Sequence, residues 1–459
     1  MVLGDLIRHA AMFVLGLLAF VGGASGAETD LNAALQQALE GRGHLGKLLE
    51  HVPERTIQNT ESATRLVSLL EKTSLEDLLV EVEGVSQLDI VITLFQEAQD
   101  AAAIGILTRQ GIPHLYRLSN ELQPQLSKSS EREFLFLLPV FAGYKTRAGS
   151  LRVLRAAREG VLEDHPLWPY VFDPFLFDHN DAVRILQELT KDLPQGQIGR
   201  GVLDCANALL AEGGGFEHPF DQDSGVDRLA SWLNGSGDDD VSEIQSAVAA
   251  LPFLKHAKRA ELLEVAFHHP HPLVKAEAGW ALERLGDSRG RNLLLRISKD
   301  VRYSWIARRY LKELGQSKSI PKEVLTPAFL ARADLCQFLS HPAENGRPPD
   351  QVKILDARSI QWPPTRRKEN VWLIQVIDDA ESPGGPAYKG IAFVGPRISY
   401  QPEMLKGLTE IEQMYGAYCA WELAQNGDPR ITGQPTSEKG WSLIKSANPR
   451  WRRLKRGVA

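Results

Sequence analysis

A chain of 459 residues with 43 % hydrophobic and 24 % charged residues and a formal net charge of −6 has an ordinary globular composition. That length exceeds one compact core and implies several domains or a repeat array, while the acidic balance gives no general affinity for nucleic acid. The cysteines Cys205, Cys336 and Cys419 are sparse and far apart, which argues against a disulfide framework and a CxxC metal site. Each reads as a small buried apolar side chain, with one bridging pair left open.

In chain order, Arg8 and His9 precede the apolar run AAMFVLGLLAFV, and small residues follow it before the polar ETD. This order predicts a secretory signal peptide over residues 1–27, with Ser25 and Ala27 at the cleavage positions. The run is shorter than the roughly 20 apolar residues that span a bilayer. The expectation is an exported protein, periplasmic or extracellular, with no transmembrane span once the signal is removed.

Residues 28–240 read as a helical region. Leu31, Ala34, Leu35, Ala38 and Leu39 recur at helical spacing, so the following GRGHLGKL begins with a helix-stopping Gly41. A phosphate-binding loop would need a strand before its glycines. Further on, NGSGDDDVSEI places three adjacent aspartates before a predicted helix at 241, with Asp240 and Glu243 in capping-box positions. Calcium loops alternate their ligands along the chain instead of clustering them.

The clearest pattern follows. VKAEAGWALERLG, Val274 to Gly286, repeats 29 residues later as YSWIARRYLKELG, with Ala278 on Ala307, Leu282 on Leu311, Leu285 on Leu314 and Gly286 on Gly315. Ala247 and Leu251 occupy the same positions in the preceding copy. Small residues at helical spacing let helices approach, large ones fill the space between, and a glycine closes each helix. One such helix pair cannot bury its own apolar face, so pairs stack.

With its His-Pro corner and the residues Val274, Lys275, Ala278, Ala281, Leu282, Leu285, Gly286 and Asp287, this segment resembles the short bacterial HEAT repeats of the phycobilisome-lyase-like group. The resemblance covers residues 241–318. It implies a mainly α protein built as an α-α superhelix, a HEAT-like solenoid, with degenerate repeats compatible with the segment before it. It also implies a non-catalytic scaffold or adaptor that binds a protein partner in the bacterial cell envelope, without a cofactor.

Within this frame FHHPHPL, which sets His268, His269 and His271 close together, is a corner between helices and not a metal site. Five of the twelve histidines precede proline, at His165, His218, His269, His271 and His341, and one punctuation role explains them all. No catalytic motif of the H-E-x-x-H or G-x-S-x-G kind occurs. From Arg289 to Lys312 eight basic residues face one acid, Asp300, with Tyr303, Trp305 and Tyr310 interleaved. Arg302, Trp305, Arg308 and Arg309 are the candidate contact patch for an acidic protein or another polyanion.

After Gly315 the periodicity stops, and residues 319–459 read as a small α+β domain with a basic tail, RWRRLKRG. VKILDARSI, VWLIQVID and GIAFVGPRISY are predicted strands, the last two forming a hairpin across a long connection from Asp378 to Lys389. That connection is where an alternative function, an enzyme or enzyme subunit acting on an extracytoplasmic substrate, would be sought. A helix is expected from Pro402 toward Glu422. Seven of the nine tryptophans lie beyond residue 279, in the core of this end or on a binding face.

Overall fold

A computed structural model of the chain describes residues 31–41, 43–49, 52, 56–82, 84–235, 241–341, 344–378 and 388–449. The predicted signal segment, the aspartate run up to Asp240, the body of the 378–389 connection and the basic tail lie outside the described residues. The protein is mainly helical, with a small C-terminal sheet of four antiparallel strands.

The chain divides into two compact units, Met1–Leu262 and Leu263–Ala459. The longer helices of the first are α1 (Leu31–Leu39), α2 (Thr60–Lys72), α3 (Gln87–Gln96), α4 (Ile112–Leu122), α5 (Glu131–Gly143), α6 (Arg147–Arg158), α7 (Ala182–Thr190), α8 (Gly196–Ala211), α9 (Asp223–Leu233) and α10 (Val241–Ala250). Neighbours in sequence pack together, α1 on α2, α5 on α6 and α9 on α10, and α8 also packs on α10. No single described helix is long and apolar enough to cross a membrane, although Gln87–Gln96 with Ala101–Gln125, bent by 119°, passes as a pair on length and composition. Within that pair Leu88, Val91, Leu94, Leu115 and Leu118 are buried in the helical core.

Helix α11 (Arg259–His268) spans the division between the units. The second unit continues with α12 (Pro272–Arg284), α13 (Arg289–Ile297), α14 (Ser304–Glu313) and α15 (Pro327–Leu339). Here α12 packs on α13, α13 on α14, and α12 on α14 as well. Ala247, Ala278 and Ala307 are all fully buried. Gly286 and Gly315 take positive φ, +83° and +71°, where an L side chain would be strained. The amides of Asp287 and Gln316 then reach back to the carbonyls of Leu282 and Leu311 and close both helices alike.

Two expectations change. Leu285 is 38 % exposed, because it sits at the end of its helix beyond the last covered turn. The approach of α12 to α13 runs through glycines and not alanines: a methyl on Gly290 would collide with the Gly279 carbonyl, so the two helices cross with their backbones almost in contact. The same device joins two later helices, α16 (Ile411–Gln425) and α17 (Ser437–Ala447), at Gly416 and Gly440.

The sheet runs in the order β1 (Gln351–Trp362), β2 (Arg367–Asp378), β3 (Tyr388–Val394) and β4 (Ile398–Tyr400). The predicted hairpin is β2 on β3, while GIAFVGPRISY turns at Gly395 into two strands instead of one. Val371, Leu373, Trp362 and Phe393 pack under Tyr415, Tyr418 and Cys419 of α16. Ile374, Val376, Ala392 and Val394 pack on Ala331, Leu335 and Leu339 of α15, a helix the sequence reading does not anticipate. Cover on both faces explains why β2 reads as an almost unbroken apolar run. The expected helix from Pro402 begins only at Ile411, after a 3-10 turn at Pro402–Leu405 and a left-handed Gly407. All three cysteines are buried free thiols.

Candidate functional site

Histidine corners stand at the entries of several helices. In each of His44, His165, His179, His218, His256, His269 and His271, the ring Nδ1 accepts a hydrogen bond from the amide two residues on, at 3.1 to 3.2 Å. An amide can only donate, so these rings carry their proton on Nε2. His179 Nε2 duly meets the Ala142 carbonyl at 3.0 Å, and His218 Nε2 meets Asn207 Oδ1 at 3.0 Å. Burial holds both imidazoles neutral, pushing His179 down from its ordinary value and His218 down to about 3.

Aspartate does the same work elsewhere. Asp287, Asp300 and Asp428 accept from the amides of Arg289, Arg302 and Arg430 at 2.9, 3.0 and 2.9 Å, and each also binds that arginine's guanidinium. In the FHHPHPL cluster His269 and His271 therefore have Nδ1 committed to the backbone, while His268 is exposed, 3.9 Å from Glu264. Among the described residues no three His, Cys, Asp or Glu side chains group in a way that could hold a metal ion. Gly41 closes α1 with φ of +71°, so a helix and not a strand precedes GRGHLGKL.

The basic run is largely neutralised by acids from outside it. Arg289 pairs with Glu264 and Asp287, both at 2.7 Å, and Arg291 with Glu283 at 2.9 Å. Lys299 reaches Glu323 at 3.9 Å. Of the four patch residues, Arg302 is held by Asp300 at 2.9 Å, which raises its pKa, and lies 5.5 Å over the Tyr303 ring. Arg308 is mostly buried and bonds Ser304 Oγ at 3.1 Å and Asp334 at 3.6 Å. Trp305 and Arg309 do come together: the Arg309 guanidinium lies 5.4 Å from the centre of the Trp305 ring and 5.3 Å from that of Tyr310.

This pair belongs to a larger stack that sequence reasoning missed. Tyr310 lies 6.0 Å from Trp280 of α12, and the Arg284 guanidinium lies 5.1 Å from the centre of the same tryptophan ring. The Tyr310 hydroxyl donates a short hydrogen bond to the buried Glu277, and burial beside that carboxylate pushes the phenol well above its ordinary pKa. Trp280 and Arg284 stand four apart on one helix, a spacing readable in advance. The Glu277 to Tyr310 bond joins two helices and left no local sign. No family model, curated protein or solved structure matches this chain.

Other places carry less chemistry. A shallow depression of about 440 Å³ in the first unit is lined by Leu75, Glu76, Leu79, Val80 and Gln125. Asp378, at the start of the connection named as the alternative site, is buried in an ion pair with Arg347. Asp173 and Asp204, from the turn Asp173–Leu176 and from α8, are pushed up to about 7 and about 6, chiefly by burial.

Proposed function

We propose that the chain is an exported, non-catalytic scaffold of HEAT-like helical hairpins that binds a protein partner in the bacterial envelope through the α12 and α14 face. The observation that carries the reading is the recurrence of one corner geometry at helix entries. His256 and His269 stand 31 residues before Asp287 and Asp300, and all four accept the amide two residues on. A corner kept through a change of side chain is what stacking of equivalent hairpins demands, since each pair must present its apolar face to the next. Packing of α12 on both α13 and α14 supports the same arrangement. Trp305 and Arg309, half-buried and backed by the buried Tyr310 and Trp280, supply an aromatic and an arginine anchor of the kind that dominates protein interfaces.

The test is site-specific photo-crosslinking. A benzoylphenylalanine introduced at the exposed Lys312 is expected to yield one discrete protein adduct in whole cells. A clean exposure with no adduct, or a smear independent of the position chosen, would overturn the scaffold reading.

A further inference from the structure

We infer that the partner segment read by this face is acidic and that Arg309 is the group that reads it, an inference that rests on the scaffold reading above. The Arg309 guanidinium lies over the rings of Trp305 and Tyr310 and shares a hydrogen bond with the Tyr310 hydroxyl, which leaves its other N–H donors for a further acceptor. Neighbouring arginines have spent theirs: Arg302 on Asp300, Arg308 on Ser304 and Asp334, Arg291 on Glu283. Among the described residues Arg309 has no carboxylate at ion-pair distance, and its buried Nε finds no acceptor. Glu313, one turn further along α14, attracts Arg309 electrostatically without pairing with it.

One planar donor fork beside aromatic rings matches a single carboxylate, which it binds with two parallel N–H···O bonds. A polyanionic glycan or nucleic acid reads many unpaired cations along a track, and the acids around Arg289, Arg291, Lys299, Arg302 and Arg308 shorten that track to Arg296, Arg309 and Lys312 among the described residues. Lys312 on the same helix and Arg284 over Trp280 add positive charge without supplying a second stacked fork on α14. The occupant is therefore a segment of a partner protein bearing Asp or Glu.

The intact chain is titrated with poly-L-glutamate at low ionic strength, following tryptophan fluorescence, with heparin as the comparison. Saturable binding is expected, weakened about tenfold or more by Arg309→Ala and by a similar factor by Arg309→Lys, because lysine keeps the charge and loses the fork. Arg291→Ala, which removes a guanidinium already paired with Glu283, is expected to leave the affinity unchanged. Thermal melts of each variant separate lost binding from lost fold. Wild-type affinity in Arg309→Lys, tighter binding of heparin that ignores position 309, or no binding of poly-L-glutamate would each overturn the inference. If the Lys312 adduct still forms while any of these holds, only the acidic partner is lost; if the adduct is absent too, the scaffold reading falls with it.

Discussion

The first unit turns its corners on histidines and the second largely on aspartates, with the same acceptor geometry in both. His218 sits 3 % exposed against Asn207 and the Phe220 amide, whereas Asp287 lies near solvent and is satisfied by Arg289. The difference teaches what a corner needs, which is a lone pair two residues before an amide, presented by a group that its surroundings keep in the accepting form. Buried among helices, a neutral imidazole meets that need at small desolvation cost. At a solvated corner a carboxylate does so, and an arginine two residues on balances its charge.

Exchanging the two chemistries breaks the comparison most sharply. His218→Asp would bury an unpaired carboxylate and is expected to cost about 3 kcal/mol or more in chemical denaturation. His218→Gln, which keeps polarity and loses the ring geometry, is expected to cost about 1–2 kcal/mol. Asp300→His at the second unit's corner is expected to cost under about 1 kcal/mol, since an exposed ion pair is worth little. Equal losses at both corners would refute the distinction.

The pH response sharpens it further. His218 has a folded pKa of about 3, below the 6.5 of a free imidazole, so the unfolded chain takes the proton first. Its contribution is full above pH about 6.5 and declines as pH falls toward 3, by up to about 1.4 kcal/mol per pH unit. Asp173 and Asp204 act oppositely, being raised to about 7 and about 6 from 3.8: their contribution is full below pH about 4 and declines as pH rises toward 7. Between pH about 4 and 6 two carboxylates outweigh one imidazole, so denaturant midpoints of the native first unit are expected to fall gently with rising pH there. His218→Gln is expected to steepen that fall, Asp173→Asn to flatten it, and Asp173→Asn with Asp204→Asn to turn it into a loss on acidification. In the second unit Asp287 and Asp428 are held below the ordinary carboxylate range by Arg289 and Arg430, so their smaller contribution is lost only as pH falls below about 4. A first unit whose midpoint in the double Asp173→Asn, Asp204→Asn variant ignores acid would remove the histidine half of this account.

Helix entries and exits were legible in the sequence because they are local. A His-Pro pair, a glycine after the last apolar position and an alanine register each act within a few residues, and the corners at His165, His218, His269 and His271 and the stops at Gly286 and Gly315 follow from them. The helix Pro327–Leu339 was hidden because its sequence alternates small and large residues against a sheet and not against the next repeat. The candidate patch was half legible. Trp305 and Arg309 share a helix, but Trp280 and Glu277 join them across a helix boundary.

What the order of amino acids determined alone was the helical period, the corner positions, the glycine closures and the change to strands after residue 350, all of which depend on backbone preferences over a few residues. Which charges survive unpaired was decided only by tertiary structure. Glu264, Glu283, Glu323 and Asp334 neutralise Arg289, Arg291, Lys299 and Arg308 from outside the basic run, leaving Arg309 between its rings. Coulomb attraction acts through distance in space, and packing, not spacing along the chain, sets that distance.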